Sequence, residues 1–336
     1  MTDYLVPDAE RPVSPGPSPS FSVVIPAYQA AATITDAVGS ALSQTSPPHE
    51  VIVCDDGSTD ALHEALGPFR DRIIFVQKEN GGGASALNAA VEAASGEFAV
   101  ILDSDDAYLP ERLSKLAHLV ALRPDLDVVS TDAFFEVDGR VTGRFNRANP
   151  FPVVAQRQAL LRSCYLFAPA VRRTRLLAVG GFDEGLRIAY DWDCWIRLVL
   201  SGSAVGLVDE PLTRYRLREG SLSANRIAAL EERVIVLEKV RNGVLPLTGS
   251  ERRALKDSIS FHRARMRHAR AQAALLSHDR TSRRRSLEAA FTVGSPARAR
   301  VKALAAAVAP GLAARRLARG SEDATTNLLA RPTGDG

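Results

Sequence analysis

The sequence predicts an α/β fold built on a mainly parallel sheet flanked by helices. Short, nearly continuous apolar runs at residues 21–25, 50–54, 73–76 and 98–102 have the length and content of strands covered on both faces. Stretches with apolar residues at helical spacing separate most of them. An alternation of strand and helix pairs in parallel by default, through right-handed crossovers. A third observation bears on function. Nearly all of these runs end in polar, ligand-capable residues, and the carboxyl edge of an open α/β sheet is where ligands sit.

In chain order, residues 1–20 carry five prolines and little apolar content, so a disordered leader is expected. Phe21–Ile25 is the first strand, ended by Pro26-Ala27-Tyr28. Thr33 caps a helix to about Ser43, with Ile34, Ala37, Val38, Ala41 and Leu42 on one face. The second strand, Glu50–Cys54, runs into Asp55-Asp56-Gly57-Ser58-Thr59-Asp60. That hexapeptide suits a turn with a helix cap, or a carboxylate accepting hydrogen bonds from a nucleobase or ribose. Ile73–Val76 follows, then Asn80-Gly-Gly-Gly83 ahead of a helix over 84–94. Glycines before a helix N-terminus allow close approach of a phosphate, and equally serve a flexible turn. There is no Walker loop, and no Gly-x-Gly-x-x-Gly follows the first strand, which counts against a dinucleotide fold.

Phe98–Leu102 ends in Asp103-Ser104-Asp105-Asp106, three carboxylates in four positions. Asp103 and Asp105 share a face if extended, and hard oxygens at that spacing suit Mg²⁺ or Mn²⁺ bridging to phosphate. An acidic turn ahead of the Pro110-led helix is the alternative. Beyond it, 126–130 reads as a strand, 134–145 as a hairpin around Asp138-Gly139, and 174–179 as a short helix ended by Gly180-Gly181. Residues 189–200 form a helix with Asp191 and Asp193 near its N-terminal end, where the dipole favours a carboxylate. Strands at 205–208 and 212–217 close this part.

Charge divides the chain. Residues 251–336 hold 18 Lys and Arg against 7 Asp and Glu, while residues 1–250 hold 24 against 32. The region 224–320 reads as basic helices, followed by a disordered tail over 321–336. Its arginines suit a solvated helical face or an anionic membrane surface. No aromatic residues interleave with them to stack bases, so nucleic acid is not expected as a partner. No run is apolar enough to span a bilayer and no signal pattern is visible, so a cytoplasmic protein is expected, with peripheral attachment to the inner face of the plasma membrane as an option. The three widely spaced cysteines fit neither a disulfide framework nor a zinc site.

Pro26-Ala-Tyr28, Asp55–Asp60, Asn80-Gly-Gly and Leu102–Asp106, in that order and spacing, resemble the nucleotide-binding half of the family 2 inverting glycosyltransferases of GT-A fold. Tyr190-Asp-Trp-Asp-Cys-Trp195 is similar to that family's Glu-Asp-Trp-Asp-x-Trp motif. The resemblance covers about residues 21–223, with 21–106 as the nucleotide-sugar half and 107–223 as the acceptor half. It implies transfer of a sugar from a nucleotide-diphospho-sugar, a UDP-sugar foremost, to a glycan, lipid-linked or small-molecule acceptor, with Mn²⁺ or Mg²⁺. Asp191 would be the general base and Asp105 the metal ligand. Pro26, Ala27, Tyr28, Asp55, Asp56, Asn80, Gly81, Asp103, Ser104 and Arg218 would hold the donor, and Tyr190 would face the acceptor; the two tryptophans suit the core better than a sugar platform, with Trp192 the acceptor-binding candidate because it adjoins Asp191. Three positions depart from the family: Tyr190 for Glu, Arg218 for a His, and Leu87 for an Arg. Two rivals remain, a metal-dependent phosphohydrolase or nucleotidyltransferase and an inactive nucleotide-sugar-binding protein.

Overall fold

The computed structural model describes residues 4–6, 18–217, 225–292 and 295–324. They belong to two compact units, Met1–Arg218 and Glu219–Gly336. In the first, the strands are β1 (Tyr4–Leu5), β2 (Phe21–Ala27), β3 (Glu50–Asp55), β4 (Ile74–Gln77), β5 (Phe98–Ile101), β6 (Ala107–Tyr108), β7 (Leu126–Val137), β8 (Arg140–Arg144), β9 (Ala170–Arg172) and β10 (Ala204–Arg216). The helices are α1 (Ile34–Leu42), α2 (Leu62–Ala65), α3 (Gly83–Ala93), α4 (Arg112–Leu122), α5 (Phe145–Ala148), α6 (Gln156–Leu160), α7 (Arg173–Ala178) and α8 (Tyr190–Leu200).

One sheet runs β1-β10-β7-β9-β5-β2-β3-β4, with β6 added on β10 and β8 on β7. β2, β3, β4 and β5 are mutually parallel, as are β7 and β10. β9 is antiparallel to both β5 and β7, so the two parallel sets point the same way and their carboxyl ends share one edge. Burial follows from composition. Val23, Val24, Ile25, Val53, Phe98 and Val100 are fully covered, as a sheet sandwiched between helices requires.

Several elements differ from the sequence expectation. Tyr4–Leu5 lies inside the stretch expected as a disordered leader, yet pairs antiparallel with Leu207–Val208. The strand at 126–130 and the first arm of the hairpin are one strand, β7, which turns at Asp138 and Gly139, both at positive φ, into β8. The two strands expected at 205–208 and 212–217 are likewise one. β10 continues through Pro211 by shifting register on either side of it, because proline cannot donate to the ladder.

The second unit holds α9 (Arg226–Asn242), α10 (Gly249–Leu276), α11 (Ser282–Ala290), α12 (Ala297–Val308) and α13 (Pro310–Ala324). α13 extends four residues into the expected disordered tail. Thr248 and Glu251 form a capping box at the start of α10. Glu238 and Glu231 on α9 pair with Arg263 and Arg270 on α10. Among the described residues, no helix is long and apolar enough to cross a membrane.

Candidate active site

Loops at the carboxyl edge of the sheet form the site, and local hydrogen bonds shape them. After β2, Gln29 takes a left-handed backbone conformation, with φ of 51°. Its side chain donates to Thr59 Oγ1 at 2.9 Å and accepts from the amides of Thr59 at 3.1 Å and Asp60 at 3.0 Å. Asp60 in turn accepts from the Ala31 amide at 2.9 Å. The loops after β2 and β3 are thereby one body. Tyr28 stands beside it with half its surface exposed, while Ala27 is buried and Pro26 half-buried.

Asp55 and Asp56, both buried, end β3. Asp55 accepts from the Ser58 amide at 2.8 Å and lies 3.4 Å from the Gln77 side-chain amide. Asp56 accepts from Lys78 Nζ at 2.9 Å and from the amides of Gly81 and Gly82 at 2.9 and 2.7 Å. Asn80 returns a bond to the Asp56 carbonyl at 2.9 Å. Both oxygens of Asp56 therefore hold the glycine loop that starts α3. Asp56→Ala is expected to destabilise the fold by about 2–4 kcal/mol, since it strands two amides and an ammonium. It should also speed amide exchange at Gly81 and Gly82; unchanged protection there would mean that the carboxylate does not hold the loop.

The acidic stretch follows β5. Asp103, Ser104 and Asp105 keep part of their surface open, whereas Asp106 is buried. Asp106 Oδ1 accepts from the Arg216 amide at 2.9 Å, tying the end of β10 to this turn. Its Oδ2 has no hydrogen-bond partner among the described residues. Burial raises the Asp103 carboxyl to about 7, and the negative charges of Asp105 and Asp191 push the same way. Asp106 is raised as well, by burial and then by Asp103 and Asp105. Asp103, in the turn after β5, thus feels the charges of both Asp105 and Asp191 at the start of α8.

α8 is placed by two side chains that sequence reasoning passed over. Arg197 pairs with buried Asp193 at 2.8 Å and donates to the carbonyls of Val179 and Gly181 at 2.6 and 2.7 Å. Asn88 on α3 donates to the Phe182 carbonyl at 2.9 Å and accepts from its amide at 2.8 Å. Gly181, with φ of +65°, fits against it; a Cβ there would lie 2.5 Å from Asn88 Oδ1. No local period marks Asn88, because its partners lie more than ninety residues away.

Tyr190 opens α8 against Gly83, where a Cβ would come within 2.8 Å of the phenol oxygen. Its ring meets Phe182 edge-on at 6.0 Å. Burial, Asp103 and Asp191 keep the phenol protonated. Trp192 corrects an expectation: it is buried, and its indole N–H donates to the Leu160 carbonyl at 2.8 Å, so it offers no open face to an acceptor. Leu87 is also buried, in the face α3 turns to the sheet. Arg218 lies outside the described residues.

Among the described residues, no three His, Cys, Asp or Glu side chains are gathered to hold a metal by themselves. Asp103 and Asp105 nonetheless offer hard oxygens whose mutual repulsion a divalent cation would relieve. They fit Mg²⁺ or Mn²⁺ when other ligands come from a phosphate.

Residues 22–177 match the family model described as Glycosyl transferase family 2. An uncharacterized glycosyltransferase of Rickettsia typhi is 30% identical over 64% of this chain and 69% of its own. The Escherichia coli UDP-Glc:alpha-D-GlcNAc-diphosphoundecaprenol beta-1,3-glucosyltransferase WfaP is 30% identical over 65% and 86%. Among solved structures, Staphylococcus aureus TarS 1–349 in complex with UDP-GlcNAc superposes with a TM-score of 0.63 over 90% of this chain and 92% of that one, at 20% identity. The mannosyltransferase PcManGT of Pyrobaculum calidifontis, in complex with GDP-Man and Mn²⁺, gives 0.60 over 94% and 84%, at 22% identity. The fold is of GT-A type.

Proposed function

The chain belongs to glycosyl transferase family 2, and on that premise we propose that it moves a sugar from a UDP-sugar to an acceptor hydroxyl with inversion, in the synthesis of a polysaccharide, glycolipid or other glycan. The observation that carries the reading is that Asp191, at the start of α8, lies near enough to Asp103, in the turn after β5, for its charge to act there together with that of Asp105. That nearness supports a base beside the acids of a diphosphate site. The choice of UDP follows the donors named for TarS and WfaP.

In this reading, Tyr28 lies along the base, and Asp55 with Pro26 and Ala27 lines the nucleoside pocket. Asn80, Gly81, Asp103 and Ser104 lie along the ribose, diphosphate and sugar, and Asp56 sets the glycine loop. Asp191 takes the proton of the acceptor hydroxyl as its oxygen attacks the anomeric carbon from the face opposite the diphosphate. The bond from that carbon to the diphosphate breaks, and the nucleoside diphosphate leaves with the electron pair. Asp105 would hold a Mn²⁺ or Mg²⁺ ion, which when bound neutralises charge on the departing diphosphate. Arg218, where relatives carry a His, pairs with the same phosphates as a fixed cation. Tyr190 keeps its proton and donates a hydrogen bond from its phenol to the acceptor, in place of the family's Glu. A lipid-linked acceptor, as named for WfaP, supports the reading that the enzyme works in the cytoplasm at the inner face of the membrane.

The test is a heat-unfolding screen of UDP-, GDP- and dTDP-sugars with Mn²⁺, Mg²⁺ or EDTA, on the unmodified chain and Asp105→Ala. Donor at a hundred times its Kd stabilises by about 2.7 kcal/mol, a resolvable shift. A shift with UDP-sugars that needs metal and disappears in Asp105→Ala is expected. No shift with any donor would sink the proposal, and a larger shift with GDP-sugars would overturn the choice of UDP.

A further inference from the structure

We propose that the outward face of α12 and the start of α13 docks on an anionic lipid surface, which gives the peripheral location proposed above a physical site. α12 is packed the wrong way round for a soluble helix. Its inward face is small: Ala303 belongs to a buried cluster with Ala271, Ala289 and Ala290, and Ala306 to one with Leu275 and Ala314. Its large apolar residues point to solvent. Val301, Leu304 and Val308 recur at i, i+3 and i+7, which is one helical face. Val301 and Val308 are 65% and 76% exposed, and Leu312, just beyond the break at Ala309, is 70% exposed. A helix that folds only to close a core buries its large apolar side chains and leaves its small and polar ones outside.

The charges around this stripe name the occupant. Residues 297–317 hold five Lys and Arg and no Asp or Glu. Arg298 and Lys302 lie one turn before and beside Val301, and Arg315 and Arg316 lie one turn after Leu312. All four are exposed, and none has a hydrogen-bond or ion-pair partner among the described residues. A second copy meeting this face on itself would set cation against cation. A sheet of phosphate headgroups over hydrocarbon complements both features, the aliphatic tips entering and the guanidinium groups staying at the phosphates.

The test is flotation of the full chain with vesicles of phosphatidylglycerol mixed into phosphatidylcholine, against phosphatidylcholine alone. No donor or acceptor is present, so the outcome is independent of the transferase reading. Binding to the anionic vesicles only is expected. Val301→Ser/Val308→Ser/Leu312→Ser changes exposed side chains and should keep the unmodified thermal unfolding profile while losing at least about tenfold in partition. Arg298→Gln/Arg315→Gln/Arg316→Gln should lose roughly fivefold per charge. No flotation with the anionic vesicles, or full flotation of the serine variant, overturns the proposal. So does a dimer of the unmodified chain that the serine variant converts to monomer, which would make the stripe a self-association face.

Discussion

Asp191→Asn is expected to lower kcat by about 10²–10⁴ while leaving the affinity for donor within about threefold, because a general base acts on the acceptor hydroxyl and not on the bound nucleotide. The amide keeps the shape of the carboxylate, and its Oδ1 can still accept from the Trp192 amide, so the helix should hold. A second readout separates this role from a merely structural one. The Asp191 charge helps raise the Asp103 carboxyl to about 7. Removing that charge must lower the Asp103 value, since one less neighbouring anion opposes its ionisation. In the metal-free chain, the carboxyl ¹³C titration of Asp103 should move to lower pH in the variant. In the unmodified chain Asp103 is raised above an ordinary aspartate, so the metal-free fold loses stability as pH rises from about 4 through about 7. That loss should be smaller in Asp191→Asn. A variant with full kcat would remove Asp191 as the base; an unmoved Asp103 titration would remove it from the cluster.

The largest effect on folding is expected at Arg112. This arginine is wholly buried on α4, with its guanidinium 4.5 Å over the Tyr108 ring. It donates to the hydroxyls of Thr131 on β7 and Thr213 on β10, and to the Ala168 carbonyl at 2.5 Å. Ala168 sits at a φ of 37°, strained for a residue with a side chain, and the arginine holds its peptide there. Arg112→Ala leaves a cavity and three buried acceptors without a donor, and should lower stability by about 3–5 kcal/mol. Arg112→Met fills most of the volume without a buried charge, and is expected to lose less than half as much. Both tryptophans, Trp192 and Trp195, lie in the first unit, so their fluorescence in denaturant reports on that unit alone. Equal losses in the two variants would show that the lost hydrogen bonds matter and the volume does not.

The parallel half of the sheet was legible because its strands are buried on both faces and read as unbroken apolar runs. Phe98–Leu102 and its three acids are the clearest case. β9 was not legible, since Ala-Val-Arg is too short to show any period. It is held by Arg172, which pairs with Glu97 and with Asp127 at 3.1 Å. The site divides similarly. The acids announce themselves by crowding at strand ends. Gln29, Asn88 and Arg197 act on backbone groups that are distant in sequence or local to a loop, and nothing in composition marks them. Trp192 was the candidate for an acceptor platform because it adjoins Asp191, although the core was the better expectation for both tryptophans. On a helix, adjacent residues point about 100° apart, and that rotation sends the indole into the core.

The position of β9 also dictates the order in which this molecule can be assembled. β5 and β7 do not pair with each other; each waits for residues 170–172 to slide between them. β7, paired early with β8, gains β10 on its far edge last, and Tyr4–Leu5 waits for that same strand. A growing chain can join β2, β3, β4 and β5 early. β7 can pair early with β8, but the open edge of β5 waits for residue 172 and the other edge of β7 for β10, near the end of the first unit. Such late, long-range closure makes folding slow and leaves strand edges open to other chains in the interval.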